Sequence, residues 1–135
     1  MALAIGKLKG MTPELEAKFK ARGLDTAEKF FEAVLTAQSR KELAVATGVQ
    51  KETLLALANR ADLARIKGIA GVYGDLLEEA GVDTVKELKG RTAESLHAKL
   101  LEVNAAKNLT PKPPTVKNVQ TWISLAKRRR KFLQY

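Results

Sequence analysis

Ile66-Lys67-Gly68-Ile69-Ala70-Gly71-Val72-Tyr73-Gly74-Asp75-Leu76-Leu77-Glu78-Glu79-Ala80-Gly81-Val82-Asp83-Thr84 reads as a helix end, a short glycine turn and a new helix that stops at Gly81. Gly68 follows the apolar turn Leu63 to Ile66, where the chain must reverse and a residue without a Cβ takes positive φ most readily. Val72, Leu76, Leu77 and Ala80 then recur at helical spacing. The same pattern stands 58 residues earlier in Leu8-Lys9-Gly10-Met11-Thr12-Pro13-Glu14-Leu15-Glu16-Ala17-Lys18-Phe19-Lys20-Ala21-Arg22-Gly23-Leu24-Asp25-Thr26. Lys9 falls on Lys67, Gly10 on Gly68, Gly23 on Gly81, Asp25 on Asp83 and Thr26 on Thr84. A duplicated helical hairpin is therefore expected as the frame of the molecule.

Working outward, Thr12-Pro13-Glu14 opens a helix to Arg22, because threonine caps free amides and proline suits the first helical position. Thr26 caps a helix carrying Phe30, Phe31, Val34 and Leu35. Ser39-Arg40-Lys41-Glu42 has the form of a capping box and predicts a short helix from Lys41 to Thr47, ended by Gly48. A longer helix is expected from Gln50 to Ile66. In the second half, Thr84-Val85-Lys86-Glu87 predicts another capped short helix to Lys89, and Thr92 begins one through Leu96, Leu100 and Val103 to Lys107. Asn108-Leu109-Thr110-Pro111-Lys112-Pro113-Pro114 reads as a stiff extended linker, since each proline removes a donor and restricts its predecessor. Thr115 caps a last helix whose stripe of Val116, Val119, Trp122, Ile123 and Ala126 leads into Lys127-Arg128-Arg129-Arg130-Lys131. A shift of 65 places Trp122 on Leu57 and Ala126 on Ala61. The expected architecture is all-α, with one unit over 1–62, a second over 63–135, and one core shared between them.

Composition narrows the functional classes. With 135 residues, 45% apolar and only 5% aromatic, the interior must be mostly aliphatic and alanine, which suits closely packed helices. No cysteine is present, which excludes disulfides and thiolate metal sites; the one histidine, His97, has no partner for a metal centre. No run approaches the roughly 20 apolar residues of a membrane span, and Met1 to Gly6 is too short and lacks basic flanks for a signal peptide. A cytoplasmic protein is expected. Net charge is +9, and after Glu102 there is no acidic residue. Lys107, Lys112, Lys117 and the five residues Lys127 to Lys131 supply eight of the 24 cations, which leaves 16 basic against 15 acidic side chains elsewhere. That asymmetry points to a polyanion at the C-terminal end.

At Lys67-Gly68-Ile69, followed by Tyr73 and Leu77, at Gly81-Val82-Asp83-Thr84, and at the approach Asn59-Arg60-Ala61-Asp62-Leu63, the chain resembles the helix-hairpin-helix motif. More closely, it is similar to a bacterial family of tandem helix-hairpin-helix proteins catalogued as a domain of unknown function, and the similarity covers most of the chain. The broader motif implies that hairpin amides and the start of the second helix hold a DNA phosphate without reading sequence, as free N–H groups and a helix dipole can. Carried over, this picks out Lys67, Gly68, Ala70 and Gly71 in the second hairpin, and Lys9, Gly10 and Thr12 in the first. Ala70 and Thr12 stand where the motif has its second glycine, and Pro13 removes one amide.

Charge favours the first hairpin, where Lys7, Lys9, Lys18, Lys20 and Arg22 gather; Asp75, Glu78, Glu79 and Asp83 would repel phosphate at the second. Lys127, Arg128, Arg129, Arg130 and Lys131 are the main expected contact, on a helix that projects or frays, with Phe132 and Tyr135 as aromatics for stacking. About five phosphates engaged would give a log-log salt slope of roughly −4 to −5. Trp122 and Tyr73 are expected in packing, and Glu78-Glu79 lacks an acid/base partner. No catalytic residue, cofactor or metal is expected. The functional expectation is non-enzymatic, sequence-nonspecific nucleic-acid binding, DNA ahead of RNA, with protein-protein docking on an acidic partner as the alternative.

Overall fold

The computed structural model describes residues 3–69 and 71–135. Among them the chain forms eight α-helices: α1 Pro13–Lys20, α2 Ala27–Ala33, α3 Ala37–Thr47, α4 Lys51–Ala64, α5 Val72–Glu79, α6 Val85–Lys89, α7 Ala93–Lys107 and α8 Val116–Lys127. A 3₁₀ turn at Ile5–Lys7 precedes them, and the described residues contain no strand beyond one isolated bridge between Ala4 and Thr26. The fold is all-α, as the pattern predicts.

Most helix starts follow the capping residues in the sequence. The side chains of Thr12, Thr26, Thr84 and Thr115 each accept a bond from the amide three residues on, and Thr115 forms a reciprocal box with Asn118. The box predicted at Ser39 is displaced. Thr36 is the cap and Ser39 its third residue, with Ser39 N–H donating to Thr36 Oγ1 at 3.0 Å and Thr36 N–H to Ser39 Oγ at 3.1 Å. Helix α3 thus starts at Ala37, four residues earlier than expected.

Backbone bonds around the two glycine turns recur 58 residues apart. Leu8 N–H bonds to Ile5 and Met11 N–H to Leu8; Ile66 bonds to Leu63 and Ile69 to Ile66. Leu24 N–H reaches Phe19 and Val82 N–H reaches Leu77 in the same way. Gly10 and Gly68 have φ of +92° and +94°, a conformation that costs an L-residue strain.

The buried apolar side chains gather in two clusters. The first holds Ile5, Phe19, Phe30, Phe31, Val34, Leu54 and Leu57; Phe19 and Phe30 meet edge-on with centroids 4.9 Å apart. The second holds Leu63, Ile66, Ile69, Leu76, Leu77, Val82, Leu88, Leu96, Leu100, Val119 and Trp122. Two elements join them. Helix α4 gives Leu54, Leu57 and Ala61 to one cluster and Leu63 to the other, and so crosses the expected boundary at 62/63. The chain after α8 places Phe132 against the second cluster and buries Leu133 in the first.

The segment 108–114 runs between α7 and α8 and is held at three points. Asn104 brackets Thr110 with two 3.0 Å bonds, Tyr73 Oη donates to Lys112 O at 3.0 Å, and His97 Nε2 lies 3.1 Å from Pro114 O. His97 thus serves the linker.

Candidate nucleic-acid interface

The basic run does not project. Helix α8 ends at Lys127, and the N–H groups of Arg128 and Arg129 bond back to Leu125 and Ala126 in a last turn. Five adjacent cations on one helix repel each other, whereas leaving the helix lets Phe132 and Leu133 reach apolar ground. The segment becomes a strap. Gln134 N–H donates to Leu35 O at 2.9 Å, Arg40 donates to Gln134 O, and Tyr135 Oη meets Asn59 Oδ1 at 2.7 Å. The Lys89 ammonium stands 4.7 Å over the Phe132 ring, and the Arg40 guanidinium 5.6 Å over that of Tyr135. Phe132 is therefore occupied in packing.

This path divides the five cations. Arg129 is half-buried, donating through Nη2 to Arg65 O at 2.6 Å, and its Nε has no partner among the described residues. Lys131 pairs with Glu32 at 3.2 Å. Lys127, Arg128 and Arg130 are exposed, with no carboxylate within ion-pair distance among the described residues. They continue an outer face of α8 formed by Lys117, Gln120, Thr121 and Ser124, all exposed and none acidic. Lys117 was part of the basic excess but no site residue in the sequence reading. Its i, i+4, i+7, i+11 relation to Thr121, Ser124 and Arg128 carried the signal.

The second glycine turn lies against this helix. A Cβ on Gly68 would meet Trp122 Nε1 at 3.0 Å, Tyr73 packs on Trp122 with ring centroids 5.5 Å apart, and Arg65 O takes the bond from Arg129. Exposed Lys67 is thus brought beside α8 and the strap. Gly68 approaches an indole here, which accounts for the glycine without a ligand.

The first turn fares differently. Lys9, expected on phosphate, lies 3.5 Å from both Asp75 and Glu78 of α5. Arg60 of α4 joins them, 2.9 Å from Asp75, 3.1 Å from Glu78, and donating to Gly71 O at 3.2 Å. Asp75 Oδ1 is buried with no aligned hydrogen bond although the guanidinium touches it. The acidic residues of the second turn thus neutralise Lys9 and Arg60. Lys18 donates to Thr47 O at 3.2 Å and Lys20 pairs with Glu16 at 2.9 Å, while Arg22 is exposed beside Leu24 and Glu42. Thr12 spends its hydroxyl on Leu15 N–H, and Pro13 has no amide, so few donors at the start of α1 face outward. Gly10 is exposed, and its Cβ position lies 3.5 Å from Leu57. Gly71 caps α5 without a side-chain bond, with Arg60 and Asp75 at that end; Ala70 lies outside the described residues.

One further charged group is structural. Asp62 is 1% exposed, accepts from Val85 N–H at 2.8 Å and pairs with Arg65; burial pushes its carboxyl above the usual 3.8, against the pull of those two partners. Arg65 in turn stacks 4.0 Å over the Phe31 ring. No group of three or more metal-ligating side chains occurs among the described residues, and no helix there is long and apolar enough to cross a membrane.

Fold and surface together define a small all-helical domain with one acid-free basic face. Residues 9–129 match the family described as a domain of unknown function, DUF4332, and the chain belongs to that family. No curated protein and no solved structure matches it.

Proposed function

We propose that the protein binds nucleic acid through its backbone phosphates, non-enzymatically and without reading sequence, DNA ahead of RNA. The observation that carries this is the outer face of α8: Lys117, Gln120, Ser124, Lys127 and Arg128 expose donors over twelve residues with no carboxylate among them, and Thr121 on the same face donates back to Lys117 O. At a rise of about 1.5 Å per residue that face is about 16 Å long, enough to follow several phosphates. Arg130 follows it in the strap, and hydroxyl and amide side chains between cations suit phosphate oxygens. The reading takes the two turns 58 residues apart as helix-hairpin-helix units, supported by their matching backbone bonds and positive-φ glycines. On this reading the protein works in the cytoplasm, where a chain without cysteine relies on packing alone.

The site is smaller than the sequence suggests. With Lys117, Lys127, Arg128 and Arg130 free, the log-log salt slope is expected at about −4. Fluorescence anisotropy with a duplex at two salt concentrations tests it. The triple substitution Lys127→Ala, Arg128→Ala, Arg130→Ala should weaken binding at least tenfold and flatten the slope by about 3. Lys9→Ala should leave the slope unchanged, because its charge already faces Asp75 and Glu78. Absence of wild-type binding at low salt, or a triple variant equal to wild type, refutes the proposal.

A second reading, a protein-docking adaptor for an acidic partner, is favoured by one separate observation, the apolar groove between α3 and α4.

A further inference from the structure

Helix α3 turns Arg40 and Leu43 into the molecule, yet its apolar surface continues around the helix through Ala37 and half-buried Ala44 to Val45, which is 81% exposed. A β-branched residue gains little in an exposed helical position, so neither helix propensity nor the core explains Val45. It lines a cavity of about 710 Å³ whose other wall is Leu55 of α4 and the Tyr135 ring, itself 69% exposed. Val45 and Tyr135 are two of the four large apolar side chains exposed among the described residues. Their convergence on one groove marks a patch, where scattered single residues would mean nothing.

The rim selects the occupant. Lys41 stands on the α3 wall and Lys51 on the α4 wall, both exposed and neither within ion-pair distance of a carboxylate among the described residues. Arg40 also lines the groove, buried, bonded to the carbonyls of Val34, Leu35 and Gln134 and lying over the Tyr135 ring; Glu52 is the single acid in the lining. A second copy of this chain is a poor fit, since each molecule carries +9 and would meet its own charge.

We infer that this groove receives an amphipathic helix of a partner protein whose apolar stripe is flanked by Asp or Glu. Two or three large side chains at i, i+4 and i+7 fill the space over Ala44, Val45 and Leu55, and the flanking carboxylates meet Lys41 and Lys51. The inference rests on the adaptor reading and gives it a place and a partner chemistry. It is independent of the α8 face.

The test uses the full chain and a fluorescein-labelled synthetic 14-residue helical peptide with leucine at i, i+4 and i+7 and glutamate at the flanks. A matched peptide carries lysine in place of glutamate. Anisotropy should show saturable binding of the glutamate peptide and at least tenfold weaker binding of the lysine peptide. Amide shifts in NMR should centre on Ala44, Val45 and Leu55. Val45→Glu, and separately Lys41→Glu with Lys51→Glu, should each weaken binding at least tenfold, with the circular dichroism spectrum and DNA binding unchanged. Equal binding of both peptides, or none at 1 mM, overturns the inference. Shifts confined to other faces overturn the groove while leaving an acidic partner in place. Self-association in sedimentation that Val45→Glu abolishes makes the occupant a second copy and overturns the assignment as well.

Discussion

A Cβ at Gly74 would lie 2.6 Å from Arg60 Nη2 and 3.1 Å from its Cζ, so the guanidinium must move to admit a side chain. Glycine to alanine inside a helix ordinarily gains up to about 1 kcal/mol. At this position it drives Arg60 from Asp75, Glu78 and Gly71 O, leaving the two carboxylates with Lys9 as their one counter-charge among the described residues. The carboxylates are 32% and 40% exposed, so water softens the loss below that of a fully buried pair. Gly74→Ala is expected to destabilise by about 1–3 kcal/mol net in urea unfolding; an increase in stability would show Arg60 to be dispensable. The sequence displayed the four charges but not their meeting, because Lys9 and Glu78 are 69 residues apart. At Asp62 the sign of the pH effect is set by burial. Its proton is held more tightly folded than unfolded, so its contribution to stability declines as pH rises from about 3.8 through the raised folded-state value. The stability of wild type minus that of Asp62→Asn should fall across that interval in urea titrations; a difference that grows with pH would mean that Arg65 and Val85 outweigh desolvation.

The element whose role changed most between sequence and structure is the strap after α8. Residues 127–131 announce charge so strongly that the following Phe132 and Leu133 are easily read as appendages, yet Leu133 is 5% exposed in the first cluster. Removing residues 129–135 takes away Leu133, the bond from Gln134 to Leu35, and the acceptor for Arg40. A buried leucine alone is worth about 2–5 kcal/mol. The truncated chain should lose at least that range in urea unfolding, against near-neutral behaviour for a free tail. Loss of DNA binding on truncation would therefore confound stability with contact, and the alanine substitutions at Lys127, Arg128 and Arg130 are the cleaner probe. Capping was legible to within one turn: four threonine caps stand where the chain places them, and α3 moved because Thr36 and Ser39 satisfy each other's amides. Both residues are good caps, and the choice depends on which start lets Arg40 and Leu43 turn inward.

On the scale of the molecule, two apolar clusters are tied together by α4, by the strap, and by the Lys9, Arg60, Asp75 and Glu78 group. Around α8, Lys117, Lys127, Arg128 and Arg130 hold no carboxylate among the described residues, whereas Lys9, Lys18 and Lys20 near the first turn are tied to carboxylates or a carbonyl. The proposed salt slope near −4 counts only the cations without such a partner, since each cation already holding a carboxylate or carbonyl releases fewer counterions.

The sequence by itself determined the all-α class, the positive-φ turns at Gly10 and Gly68, most helix boundaries, and the acid-free C-terminal third. These depend on local conformational preference and composition, which a chain carries wherever it folds. Only tertiary structure decided which cations stay free, that the second turn and not the first lies beside α8, and that Val45 and Tyr135 meet across a groove. Those outcomes depend on contacts between residues tens of positions apart, where burial and charge pairing are settled by packing geometry that no local pattern encodes.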